Sequence, residues 1–519
     1  MVMNNIWREN KSNALALKIE VHDETNRAIH SSATHSKPTS QVEFDLSACL
    51  NLKYLILQGS GIHMQDSSSS VSPTLPVCIV LNSANPAQSA YPLPVMPCIE
   101  YIGLAKITCS STWLRSLFIT LLTLEQNAVC KLTYVSCQGT FIDSATLSCF
   151  KKTLAYKSDS SFQECDVLWE VLHGLNIKSL SLDISIINCA DSISQSLSSL
   201  THLDTLSIKV DEDSPGLWKA LHGLNIISLS LSGQYGYLNV NYADSMSQSL
   251  SSLTHLDTLS IKVDEDSPGL WKGLHGLNII SLSLSGQYGY LNVNYADSMS
   301  QSLSSLTHLD TLSIKVDEDS PGLWKALRGL NSISLSLSCR YGYLNVHNAD
   351  SMSQSLSSLT HLYTLSIEAD YFRPGPWEAL RGLKIISLSL SGRYEYLNVH
   401  NADPISQSLS SLIHLDSLSV KVEYDNPGLW KALHGLNIKS LSLSGRYGGL
   451  YVDYADSMSQ SLSSLTHLDT LSIEADYCST GLLEALRGLN IKNLSLSLSH
   501  RNGYDSPDGA CHVDLNVYH

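Results

Sequence analysis

Two short phrases recur along most of this chain, and in both of them apolar residues alternate with serine. HLDTLSI carries Leu256, Leu259 and Ile261, and NIISLSL carries Ile279, Leu282 and Leu284. Alternation with a period of two predicts a strand with one buried face. Between the phrases the apolar positions move to helical spacing. Ser267-Pro268 offers a Ser N-cap with Pro at the first helical position, Leu270, Leu274 and Leu277 form one apolar stripe, and Gly276 helps to stop the helix. Met299, Leu303 and Leu306 make a second stripe at i, i+4, i+7. One copy of this second helix reads Asp403-Pro404. Pro at the first helical position leaves Asp403 as the expected N-cap, and Asp191, Asp244, Asp297, Asp350 and Asp456 take the same role in the other copies.

These aspartates are spaced 53 residues apart. Residues 206–258 and 259–311 differ only at Ala220 and Gly273. Each period holds two strands, because Leu256 to Ile279 is 23 residues and Ile279 to Leu309 is 30. At that alternating spacing, strands are expected to open at 177, 203, 226, 256, 279, 309, 332, 362, 385, 415, 438, 468 and 491. Three earlier segments look like diverged units: Leu52 to Leu57, Ile99 to Leu104, and Val129-Cys-Lys-Leu132-Thr-Tyr134-Val-Ser-Cys137. The pattern resembles the leucine-rich-repeat family, whose units of about 20–29 residues open with L-x-x-L-x-L on a short strand.

That resemblance implies an α/β leucine-rich-repeat solenoid, a curved horseshoe with a parallel inner β-sheet and outer helices, built on the 53-residue double repeat. Residues 1–46 stay unassigned, 47–190 hold diverged repeats with a Ser- and Pro-rich loop near 63–98, and 191–519 form the regular solenoid. The final stretch DGACHVDLNVYH shows no polar capping helix, so the expectation there is truncation or a partner covering the end.

Composition narrows the partners. The 519 residues contain 32 Lys+Arg against 48 Asp+Glu, a formal charge of −16, which argues against nucleic acid or an anionic membrane as the main partner. Only 15% of residues are charged, so Ser, Asn and Tyr are expected to carry solubility. No apolar run suits a signal peptide, and the longest, around Trp113 to Leu122, is shorter than the roughly 20 residues needed to span a bilayer. A cytoplasmic protein with buried, reduced cysteines is the expectation.

The repeat constrains chemistry as well. His202, His255, His308, His361, His414 and His467 stand one period apart, about 10 Å when strands stack, too far to share a metal, and are read as structural residues at the helix-to-strand turn. Acidic triplets such as Asp211-Glu212-Asp213 are read as solvated loops, with Ca²⁺ binding as the alternative. Trp169, Trp218, Trp271, Trp324, Trp377 and Trp430 share one helical context and are assigned to the core. There is no Gly-Lys pair for a P-loop, and no HExxH, GxSxG or GxGxxG. No cofactor, no metal and no catalysis are expected.

The copies differ mainly in a few surface columns. One reads Lys209, Lys262, Lys315, Glu368, Lys421, Glu474; another reads Gln234, Gln287, Arg340, Arg393, Arg446; a third reads Glu212, Glu265, Glu318, Tyr371, Tyr424, Tyr477. Tyr, Trp and Arg dominate binding hot spots. The expected partner-binding patch is therefore Arg340, Glu368, Tyr371, Phe372, Arg393, Tyr394, Tyr396, Tyr424 and Arg446.

An array of this kind, with thiol-containing units first, is similar to the sensor region of intracellular nucleotide-binding leucine-rich-repeat immune receptors, particularly the expanded invertebrate ones. The resemblance implies a non-enzymatic module that binds a protein or peptide on its concave face. A ubiquitin-ligase substrate adaptor and a ribonuclease-inhibitor-like enzyme inhibitor are the alternatives.

Overall fold

The structure is a computed structural model. It describes residues 16–20, 40–45, 51–64, 77–82, 98–137, 140–158, 166–184, 190–210, 213–233, 240–263, 267–286, 293–316, 320–344, 349–372, 374–393, 402–422, 427–445, 452–476, 481–487, 491–499 and 513–518, with single residues at 238, 291, 425, 450 and 489. The chain divides into two compact units, Met1–Leu256 and Asp257–His519.

In the first unit the elements are β1 (Ala16–Glu20), β2 (Ser40–Asp45), β3 (Tyr54–Met64), β4 (Val77–Asn82), β5 (Tyr101–Cys109), α1 (Ser111–Leu122), β6 (Ala128–Cys137), β7 (Thr140–Phe150), β8 (Thr153–Ser158), α2 (Asp166–Leu172), β9 (Ser179–Asp183), α3 (Ala190–Ser198), β10 (Thr205–Val210), α4 (Pro215–Leu221), β11 (Ser228–Gly233) and α5 (Ala243–Ser251). Two of these strands fall in the segment the sequence left unassigned, and β4 lies within the expected 63–98 loop. Pairing is parallel from β3 to β5 to β6 and again from β8 through β11. The expected all-parallel sheet is interrupted between these runs. β7 lies antiparallel to both β6 and β8. Only two residues link it to each neighbour, too few for a parallel crossover. Lys151 and Lys152 turn the second link with φ of 42° and 66°.

The second unit alternates strand and helix from β12 to β21 and ends on a further strand: β12 (Thr258–Lys262), α6 (Pro268–Leu274), β13 (Ser281–Ser285), α7 (Ala296–Ser305), β14 (Thr311–Val316), α8 (Pro321–Leu327), β15 (Ser334–Leu344), α9 (Ala349–Ser358), β16 (Thr364–Phe372), α10 (Pro374–Ala379), β17 (Ser387–Arg393), α11 (Ala402–Ser410), β18 (Ser417–Val422), α12 (Pro427–Leu433), β19 (Ser440–Gly445), α13 (Ala455–Ser464), β20 (Thr470–Asp476), α14 (Leu482–Leu486), β21 (Asn493–Ser499) and β22 (Val513–Tyr518). β12 through β21 pair in parallel, each with the next in sequence, and leucine meets leucine, isoleucine or valine at every step. This is leucine-rich-repeat solenoid architecture, and β9 to β21 are the thirteen strands expected from the repeat. At the end where no capping helix is legible, β22 lies antiparallel on β21 and occupies its free edge.

The core follows the alternation. On β14, Leu312 and Ile314 are buried while Thr311 and Ser313 stay half-buried. All six repeat tryptophans are buried. Ser267 accepts from the Leu270 N–H at 3.1 Å, as its N-cap role requires, and Gly276 leaves the helix at φ 71°.

The second helix starts differently from expectation. α5, α7 and α13 are entered from Tyr242, Tyr295 and Tyr454 with no side-chain cap, and the aspartate sits inside the first turn. There it faces the positive helix end and pairs outward with a lysine of the next helix, Asp191 with Lys219 at 2.6 Å, Asp297 with Lys325 at 2.7 Å and Asp403 with Lys431 at 2.7 Å. The acid that does order the helix entry belongs to the preceding loop. Asp213 accepts from the N–H groups of Asn241 and Tyr242, both at 3.0 Å, and from Trp218 Nε1 at 3.2 Å. Asp425 does the same for Asp453, Tyr454 and Trp430 at 2.9, 3.1 and 2.9 Å. Both carboxylates are buried. The triplet's last acid is thus neither a solvated loop residue nor a Ca²⁺ ligand, since N–H donors already occupy its oxygens. Asp266 and Asp319 lie outside the described residues.

Serine also has a structural role that composition alone assigned to solubility. Ser302 donates to the Trp271 carbonyl at 2.7 Å, and Ser305 accepts from the Gly276 N–H at 2.7 Å. Ser249 and Trp218, Ser355 and Trp324, and Ser461 and Trp430 repeat the first bond. At α4, α6, α8 and α12 a carbonyl of the last turn is therefore met by a serine of the next helix, whereas the equivalent Ser408 after α10 makes no such bond.

Candidate recognition face on strands β15 to β17

The side of the sheet opposite the leucines is lined by half-buried hydroxyls. Thr364 and Ser366 on β16 pair in register with Ser334 and Ser336 on β15 and with Ser387 and Ser389 on β17. Just ahead of these strands runs one row of residues, exposed except for the half-buried Asp416 and linked by backbone bonds. Ile333 N donates to Asp310 O, Tyr363 N to Ile333 O, Ile386 N to Tyr363 O, and Asp416 N to Ile386 O, at 2.8–2.9 Å. Further along, Lys439 pairs with Asp416 and Lys492 with Asp469, both at 2.8 Å.

The middle of this row is apolar. Ile333, Tyr363 and Ile386 are 40%, 45% and 44% exposed on three successive strands. At the ordinary strand spacing of about 4.8 Å they cover roughly 10 Å. Tyr363 stands where Asp204, Asp257, Asp310, Asp416 and Asp469 stand in the other copies. Ile280 is equally exposed, but its row neighbours are Asp257 and Asp310. Ile413, in the turn before β18, is 77% exposed and replaces a threonine found in the other five copies. Charge reversal along the surface columns does not point to these residues; the Asp-to-Tyr change at 363 is the signal in the sequence that does.

Glu368 lies on β16, exposed, with its Oε2 accepting from Ser338 Oγ at 3.0 Å. Tyr371 and Phe372 end the same strand, Arg340 lies within β15 and Arg393 ends β17. Backbone register puts Tyr371 opposite Tyr343 on one side and Arg393 on the other, past an irregularity in each ladder. Tyr394, Tyr396, Tyr424 and Arg446 lie outside the described residues.

Other sequence-derived candidates take ordinary places. The six ladder histidines stand in the turn between helix and strand, as expected, and are all exposed there. No cluster of three or more His, Cys, Asp or Glu able to hold a metal occurs among the described residues. Cys109, Cys130, Cys137, Cys149 and Cys339 are buried thiols outside any disulfide. In the first unit, register pairs Ile102 with Cys130 and Leu104 with Leu132. The repeat motif there is displaced by two residues from its sequence reading: Cys130 and Leu132 fill the apolar positions, and Tyr134 is 57% exposed. Among the described residues, no helix is long and apolar enough to cross a membrane.

No protein-family model matches this sequence, and no curated protein matches it. Among solved structures, a leucine-rich-repeat protein of Leptospira interrogans is similar at a TM-score of 0.33 and 15% identity, over 78% of this chain and 81% of that one. TLR13, solved in complex with ssRNA13, is similar at a TM-score of 0.36 and 15% identity, over 87% of this chain and 65% of the TLR13 chain.

Proposed function

We propose that this chain is a non-enzymatic recognition module that binds a protein or peptide on the sheet face at β15 to β17. The observation that carries this reading is the row Ile333, Tyr363 and Ile386, an apolar strip held in water and made continuous by Tyr363, where the other copies place Asp. An apolar centre with a polar surround is the usual anatomy of a binding surface. The hydroxyl rows beside it offer hydrogen bonds to a ligand backbone, and Arg340, Glu368, Tyr371, Phe372 and Arg393 extend the surface along the same three strands. Tyr394, Tyr396, Tyr424 and Arg446 complete the patch read from the sequence. The biological setting we favour is the sensor region of an intracellular, cytoplasmic innate-immune receptor, on the resemblance of the repeat.

A polyanion fits poorly, given a formal charge of −16 and Asp310 and Asp416 at the ends of the strip. Single-stranded RNA, the ligand in the TLR13 structure, is therefore the negative control. The test is selection of a peptide display library on the full chain, followed by affinity measurement on a variant carrying Tyr363→Asp and Ile386→Lys. Asp416 and Lys439 already occupy that row, so the fold tolerates both residues. A hot-spot tyrosine is worth about 2 kcal/mol, so selected peptides should weaken roughly 30-fold. Selected peptides that bind the variant equally well would remove this face from the reading.

A further inference from the structure

Cys109 and Cys137 end two adjacent parallel strands, β5 and β6, and are direct register partners. Left-handed bulges at Lys106 (φ 56°) and Tyr134 (φ 51°) bring them there. Without the bulges, strict alternation after Leu104 and Leu132 would turn residues 109 and 137 outward. Instead Ile107 and Cys109, and Val135 and Cys137, all point into the core. Register partners on neighbouring strands have Cα atoms about 4.8 Å apart, inside the range that a disulfide spans without backbone movement. The two sulfurs already share a hydrogen bond.

We propose that Cys109 and Cys137 form a reactive dithiol that hydrogen peroxide converts into a disulfide. The pair is asymmetric. The bond from the Cys109 thiol holds Cys137 below the usual thiol range, while that bond and burial push Cys109 far up. Of the two, Cys137 is the sulfur that gives up its proton more readily, although burial and the Glu170 charge act against this, and the thiolate is the form that attacks a peroxide. Its sulfur takes the distal peroxide oxygen, the O–O bond breaks, and hydroxide leaves to become water. The Cys109 sulfur then attacks the Cys137 sulfenic acid. The S–S bond forms, the S–O bond breaks, and a second water leaves with the Cys109 proton. Two electrons pass from the thiols to the peroxide.

A cleft of about 450 Å³ lies between α1, α2 and α3, close to this end of β5. Its lining includes Ser111, two residues beyond Cys109, and the exposed Glu170, whose charge is felt at Cys137 and whose Oε1 accepts from Ser111 Oγ at 3.0 Å. The second thiol pair of this region behaves differently. Cys130 and Cys149 sit diagonally across β6 and β7 with no bond between them, and burial pushes both up, Cys149 to about 12. They are inert by comparison.

The test is peptide mapping of the full, reduced chain after hydrogen peroxide, with alkylation under denaturing conditions. Trypsin releases residues 107–115 and 132–151, and the second peptide also holds Cys149, so fragment ions must locate the link. The expected product joins Cys109 to Cys137 and leaves Cys130 and Cys149 alkylated. The bond closes a loop around α1, so the melting temperature of the oxidised wild type should rise by several degrees, and neither Cys109→Ser nor Cys137→Ser should show that rise. Recovery of both residues as alkylated thiols or as unlinked sulfinic acids overturns the proposal, and so does a Cys130–Cys149 link formed first. The mapping uses wild-type protein, so its result stands whether or not the variants fold.

Discussion

Replacing Ser332 by isoleucine should stabilise the second unit. Ser332 is 1% exposed, and its hydroxyl has no hydrogen-bond partner. The same column holds Ile226, Ile279, Ile385 and Ile438, all buried against the leucine ladder. An unmet buried hydroxyl costs about 1–3 kcal/mol. The isoleucine side chain has three more carbon atoms than a serine Cβ, about 0.8 kcal/mol each when buried. Against this stand roughly 0.5–1 kcal/mol of side-chain entropy and the local rearrangement needed to admit the larger group, which can reach about 1–3 kcal/mol. The balance is a gain of about 2 kcal/mol. Repeat arrays can unfold in parts, so a global urea midpoint, expected to rise, is best paired with a local measure. Native-state hydrogen exchange at the Leu335 and Leu337 amides of β15 should slow about 30-fold where exchange follows opening of that strand. Faster exchange at those amides in Ser332→Ile would show that the pocket at this position is closed to isoleucine and that the column is not equivalent across copies.

The serine bonds between helices give a paired prediction: Ser302→Ala should cost about 1–2 kcal/mol in urea denaturation, because it removes the buried hydrogen bond to the Trp271 carbonyl, whereas Ser408→Ala should cost nothing, since the Ser408 hydroxyl is buried without a partner. Equal losses would mean that Ser302 acts through packing alone. Burial holds the Asp425 carboxyl above the ordinary carboxylate range, against hydrogen bonds from Asp453, Tyr454 and Trp430 that act the other way. A folded-state value above the unfolded one means that the ionised group subtracts stability above its folded value, and that this loss fades as the pH falls toward about 4. The stability of wild type relative to Asp425→Asn should therefore rise on acidification from neutrality; a relative fall over that window would show the three bonds outweighing burial.

Much of this molecule can be read from periodicity. The thirteen strands β9 to β21, the Ser-Pro helix starts, the glycine stops and the buried tryptophans all follow from which residues recur at what spacing. Those signals are local, and an apolar stripe at i, i+4, i+7 or an alternation with serine identifies an element whatever its neighbours are. The Asp N-cap expectation failed because it weighed one helix alone. The acceptor that orders that helix entry comes from Asp213 or Asp425, 28 residues earlier, and becomes its neighbour only when two units stack.

The same distinction explains the remaining differences. A sequence phrase cannot reveal that β7 runs antiparallel, that two bulges turn Cys109 and Cys137 inward together, or that Tyr134 faces solvent. Strand pairing decides each of these, and one residue of displacement exchanges the two faces of a strand. The face proposed for recognition has some residues that stand out in the sequence, since Glu368 and Tyr371 are column changes. Its apolar centre does not, because Ile333, Tyr363 and Ile386 are separated by 30 and 23 residues and form a strip only through successive backbone bonds between strands. Period and composition are enough to set the repeat and its core, because burial of a regular apolar face has one solution. Which surface residues meet, and which thiols touch, depends on register between strands distant in sequence, and that is decided only when the units pack.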